Sequence, residues 1–156
     1  MNMIAADDLA LDYRFPGTLR AEKQGCVVLF SDNTDAVARM ETVCEFLDLK
    51  LECVSAGTDL ADMLRARRPM AVISDIDGDD HDGFHAMKLI ARYNPDLPVM
   101  LLTDGDIALM GAADAIQEIW GLTAVTLTSG FPLAGQLVSF LFSAGRKAGC
   151  MRLVPV

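Results

Sequence analysis

Positive charge is scarce in this sequence. Thirteen Lys and Arg stand against twenty-two Asp and Glu in 156 residues, a formal net charge of -9, and no basic stretch is longer than the pair Arg67-Arg68. A chain without a basic stripe lacks the electrostatic footprint of a nucleic-acid binder, so no DNA or RNA partner is expected. CxxC pairs are absent as well. Cys26, Cys44, Cys53 and Cys150 fall in segments that read as buried strand or helix, and such spacing gives neither a zinc site nor a disulfide framework. A reducing cytoplasm is the expected location. The first 24 residues carry acids early and contain no long apolar run, which argues against a secretory signal. One span does lack charge, from Ile119 to Gly145. It is broken by Thr128-Ser129-Gly130-Phe131-Pro132, and the apolar part beyond is too short for the roughly 30 Å hydrocarbon core of a bilayer, so no membrane span is expected. Neither internal repeats nor low-complexity segments occur.

What remains is an apolar chain, 52% hydrophobic, of a length that suits one domain with a substantial core. Short apolar runs at 26–30, 49–54, 70–74, 98–103 and 124–128 read as strands. Helical patterns fill the intervals at 34–49, 58–68, 83–94 and 107–120, and a last one follows over 132–145; Met40, Val43, Cys44 and Leu47 mark one helical face. Pro132 suits a first helical turn, while Pro69 and Pro98 open strands. Strict alternation of strands and helices predicts an α/β fold with a parallel sheet, and strands that are apolar throughout predict a sheet covered on both faces. The pattern divides the chain into an N-terminal arm (1–24), one domain (25–146) and a C-terminal tail (147–156).

In such sheets a site forms at the carboxyl ends of the strands. Those ends hold Asp32, then Asp75 and Asp77, then Thr103 and Asp104, then Ser129. The stretch Ala71 to His85 sets five aspartates directly behind the third apolar run, a repulsive arrangement that a cation or a phosphoryl group with its metal would relieve. A calcium loop of EF-hand type counted from Asp75 would need a glycine and a glutamate where Asp80 and Ala86 stand, and is excluded. His81 and His85 lie beside these acids without a third ligand of suitable kind, so a transition-metal site is not expected.

Two families share these motifs. The segment AVISDIDGD resembles the first motif of haloacid-dehalogenase-type phosphatases, with Asp75 as nucleophile and Asp77 as general acid, and VMLLT ending in Thr103 is similar to their second. No lysine follows Thr103 until Lys147, however, and no acid pair closes a later strand. The ordered set VVLFSDN, AVISDIDGDDHDGF, LPVMLLTD and TLTSGFP resembles the receiver domain of bacterial two-component response regulators over about residues 25–146. The resemblance implies a flavodoxin-like, CheY-like five-stranded parallel sheet of order 2-1-3-4-5. It also implies Asp75 as phosphoryl acceptor, Mg²⁺ held by Asp32, Asp75 and the backbone carbonyl of Asp77, Thr103 as the hydroxyl that reaches the phosphoryl group, and Gly83 at the turn into the third helix.

Four positions depart from the receiver pattern. Ser31 replaces the first of two acids, Asp104 a small residue, Thr126 the aromatic switch, and Ser129 the lysine that gives the phosphoryl group a positive charge. The last helix adds a separate signal: Leu133, Leu137, Phe140, Leu141 and Ala144 form its core face, while Val138 and Phe142 turn toward solvent. The expectation is therefore a stand-alone, non-enzymatic receiver that accepts a phosphoryl group on Asp75 from a sensor histidine kinase or phosphotransfer protein. It signals to a downstream protein by contact and forms a homodimer through its last two helices. A phosphorylation-independent pseudo-receiver is the first alternative, and the phosphatase the second.

Overall fold

A computed structural model describes residues 24–54, 57–76 and 83–150. Five parallel strands, β1 (Cys26–Phe30), β2 (Lys50–Val54), β3 (Ala71–Asp75), β4 (Val99–Thr103) and β5 (Val125–Ser129), alternate with five helices. These are α1 (Thr34–Leu47), α2 (Gly57–Arg67), α3 (Gly83–Tyr93), α4 (Ile107–Trp120) and α5 (Ala134–Ala148). The sheet order is β2-β1-β3-β4-β5, every pairing parallel. The flavodoxin-like order 2-1-3-4-5 is thus the observed one. Each strand returns through a helix, as parallel pairing requires.

Every residue of β1 and β4 is buried, as central strands of a doubly covered sheet require. Alternation sends successive side chains to opposite faces. Val27, Leu29, Ala71, Ile73, Met100 and Leu102 meet Met40 and Cys44 of α1 and Leu137 and Leu141 of α5. Val28, Phe30, Val72, Val99 and Leu101 meet α2, α3 and α4 through Leu60, Leu64, Met87, Ile90 and Ala113. The sheet is therefore a partition between two cores.

Local chemistry sets the helix ends. Asn33 caps α1 by accepting from the backbone N–H groups of Asp35 at 2.9 Å and Ala36 at 3.3 Å, and Asp106 does the same for α4. The helix expected from Pro132 begins at Ala134, with Leu133 as the N-cap residue. Leu133 is consequently 75% exposed, which corrects its assignment to the core face; Leu137, Leu141 and Ala144 do lie in the core. Phe140 and Phe142 both pack partly against the α1/α5 core, so Phe142 is not the outward residue that the helical wheel implied. The cysteine reading also needs amendment: Cys26 and Cys44 are buried, but Cys53 is exposed on β2 and Cys150 is half-buried beyond α5. Among the described residues no helix is long and apolar enough to cross a membrane.

Candidate functional site

The register of the central strands places the predicted residues. Phe30 of β1 stands opposite Ser74 of β3, so the next step brings Ser31 beside Asp75 on the α1/α5 side of the sheet. The Ser31 hydroxyl donates to Oδ2 of Asp75 and accepts the backbone N–H of Asn33 at 3.0 Å. A serine in the place of an acid has thus become a donor: where two carboxylates would repel, a hydrogen bond to an anion forms instead. Ser31 is buried and Asp75 half-buried, which keeps the bond partly shielded from water.

Asp75 opens into a cleft of about 370 Å³ at the carboxyl end of the sheet. Asp32, Asp35, Asp104, Thr103 and Phe131 share its wall. Neither Lys nor Arg is among the described residues that line it. Asp32, Asp75 and Thr103, predicted from separate strand ends, are therefore brought together. Asp77 lies outside the described residues.

Thr103 is 2% exposed. Its hydroxyl accepts the backbone N–H of Gly105 at 3.3 Å, and its carbonyl accepts the N–H of Gly130. These bonds tie the loop after β4 to the loop after β5. Ser129 sits in register with Thr103 and is exposed. Gly105 has φ +99°, and a Cβ there would stand 3.3 Å from the Ser129 hydroxyl, so the position demands glycine both for its backbone and for the closeness of the two loops.

Sequence reasoning passed over Arg39. One turn along α1 from Asp35, its Nε lies 3.3 Å from Asp35 Oδ2, and its guanidinium carbon lies 5.5 Å from the centroid of the Phe131 ring. Both partners line the cleft, so this exposed cation stands at its rim. The i, i+4 spacing of Asp35 and Arg39 was the available signal.

The donor set suits a hard cation in part. Carboxylates of Asp32 and Asp75 are the oxygen ligands that Mg²⁺ prefers, with water completing the shell. Ser31 contributes no charge and is turned toward Asp75. Among the described residues, no group of three His, Cys, Asp or Glu side chains is placed to hold a metal.

Comparison with known proteins agrees with this geometry. The family model of the flagellar regulatory protein FleQ matches residues 26–123. No match is found among curated proteins. Of the solved structures, the N-terminal receiver domain of a response regulator from Bacteroides fragilis is similar at 21% identity and a TM-score of 0.61, over 78% of this chain and 97% of that one. A CheY-like receiver domain from Methanospirillum hungatei is similar at 11% identity and a TM-score of 0.65, over 80% and 96%. The receiver domain of a sensor histidine kinase from Pseudomonas aeruginosa, with a magnesium ion coordinated in its active-site cleft, is similar at 17% identity and a TM-score of 0.61, over 80% and 97%. At such identities the likeness is one of fold, and the fold is that of receiver domains.

Proposed function

Given that the chain belongs to the FleQ family of flagellar regulatory proteins, we propose that it is a receiver module of that regulatory type which works by protein contact, its acceptor corner held by Ser31 rather than driven by phosphorylation. The hydrogen bond from Ser31 to Asp75 carries this reading. A carboxylate oxygen that accepts a proton donor is a poorer nucleophile, and a phosphoryl dianion entering the cleft would meet Asp32, Asp35, Asp75 and Asp104 with no lysine among the described residues of the lining. At the effective dielectric of a partly buried site, two like charges about 4 Å apart repel by on the order of 4 kcal/mol.

Contact surfaces are available on the side of α4, β5 and α5. Ile107 and Ile119 of α4 are 83% and 74% exposed. A cleft of about 630 Å³ lined by Thr126, Thr128, Phe140 and Lys147 runs between β5 and α5. A homodimer through these elements, and a downstream protein partner, are the contacts proposed.

The convergence of Asp32, Asp75 and Thr103 on one cleft supports a second reading, in which Asp75 accepts a phosphoryl group from a histidine kinase or phosphotransfer protein. There Mg²⁺ would be held by Asp32, Asp75 and the carbonyl of Asp77, and would neutralise charge on the phosphoryl oxygens. Thr103 would offer them its hydroxyl, and Arg39 would stand as an exposed cation at the rim. A phosphatase is disfavoured by the same lack of a lysine.

Intact mass after incubation with a small acyl-phosphate donor, with and without Mg²⁺, separates these readings. Contact without phosphorylation requires an unmodified mass in both conditions. A Mg²⁺-dependent phosphoryl adduct that disappears in Asp75→Asn would replace it with the second reading, and turnover of a generic phosphomonoester would instead support the phosphatase.

A further inference from the structure

Away from the Asp75 cleft, a groove of about 460 Å³ lies between α1 and the edge strand β2. Its apolar floor is made by Cys44, Leu49, Leu51 and Cys53, and Glu41, Glu45 and Asp48 stand along its α1 wall. Among the described residues β2 has a neighbour on one side only, β1, so the groove borders an open sheet edge, which proteins commonly cover. All three carboxylate residues on the wall are exposed.

The chain itself indicates the occupant. Gln24 is the first described residue and lines this groove; its side-chain amide donates to the backbone carbonyl and to Oδ1 of Asp48, each at 3.3 Å. The segment that precedes it in sequence is Arg14-Phe-Pro-Gly-Thr-Leu-Arg-Ala-Glu-Lys23. It carries Arg14, Arg20 and Lys23 against a single acid, Glu22, and offers Phe15 and Leu19 as apolar side chains. Six extended residues reach roughly 20 Å, enough to run the length of a five-residue strand.

We propose that residues 14–23 of the same chain dock in the groove between α1 and β2. Basic side chains face Glu41, Glu45 and Asp48, and the apolar ones cover Leu51 and Cys53. Because the segment leads into Gln24 at the amino end of the strands, it passes β2 in the antiparallel sense and shields the open edge. The inference is independent of whether Asp75 is phosphorylated.

Cys53 reports on the groove, since its thiol is exposed unless the segment lies over it. The test is the iodoacetamide labelling rate of Cys53 in the full chain, read by peptide mass spectrometry. Docking predicts slow labelling that rises on the order of tenfold in Arg14→Glu/Arg20→Glu/Lys23→Glu, and that also rises in molar salt for wild type but not for the variant. Glu45→Lys should likewise release Cys53, and adding Arg20→Glu should restore protection; Glu41 is left in place because its charge acts on the thiol itself. Equal rates in wild type and the triple variant, with unchanged thermal unfolding, would overturn the proposal. So would protection that fades on dilution, which would assign the groove to a second copy.

Discussion

Ser31 and Asp75 are joined, hydroxyl to carboxylate, across two neighbouring strand ends. The bond gives a half-buried anion a proton donor. Removing it should be costly. Ser31→Ala is expected to destabilise the fold by about 1.5–3 kcal/mol, the range for hydrogen bonds to charged groups, seen in urea unfolding as a lower midpoint at constant slope.

Ser31→Asp replaces that donor with a second carboxylate. We expect it to lower stability in the absence of divalent ions and to recover at least part of the loss in millimolar Mg²⁺, whereas wild type should respond less. Thermal unfolding with and without Mg²⁺ reads both effects, and a wild-type response as large as the variant's would show that the serine does not limit metal binding.

Two glycines should respond in opposite ways to the same substitution. Gly111 lies inside α4, and a Cβ there meets nothing within 4 Å, so Gly111→Ala should stabilise by roughly 0.5–1 kcal/mol. Gly105 has φ +99° with the Ser129 hydroxyl close by, so Gly105→Ala should destabilise by about 1–3 kcal/mol. Equilibrium denaturation of the pair, measured side by side, checks both signs.

Alkaline pH should weaken the α1/α5 core. Burial pushes the Cys44 thiol from its ordinary value of 9.0 up to about 11. A pKa raised in the folded state favours folding below the unfolded value and is lost as pH climbs through the folded one, so the contribution disappears between about pH 9 and 11. Unfolding free energy followed across that window should fall less steeply in Cys44→Ala, after allowance for that variant's lower starting stability.

Leu141 is fully buried between α5 and the sheet. Leu141→Ala is expected to cost about 2–5 kcal/mol, depending on how far the site collapses. The measurement is again the denaturation midpoint, and a loss below about 1 kcal/mol would mean that α5 is less firmly seated than its burial implies.

The fold was legible because its signals are local. Val27 to Phe30 and Val99 to Leu102 are apolar without alternation, and that pattern belongs to strands covered on both faces. The strand ends then located Asp32, Asp75 and Thr103, since parallel sheets gather residues that are distant in sequence. The partner of Ser31 was not legible: a serine beside an aspartate in a motif says nothing about which carboxylate its hydroxyl will reach, and only the Phe30–Ser74 register decides it. Leu133 misled for a related reason. Its apolar character fits the helical stripe, but the helix begins one residue after it, so its side chain has no turn to lie against. Arg39 escaped notice because its role depends on Phe131, which comes from a loop at the far end of the chain.

The sheet's separation of two cores has a consequence for how the cleft communicates. Asp75 continues the series Ala71 and Ile73, which points to α1 and α5, while Thr103 continues Val99 and Leu101, which points to α2, α3 and α4. A ligand or partner that engages both side chains would therefore grip the molecule on either side of its dividing wall. Asp75 and Thr103 thus open on one cleft while each borders a different layer of helices.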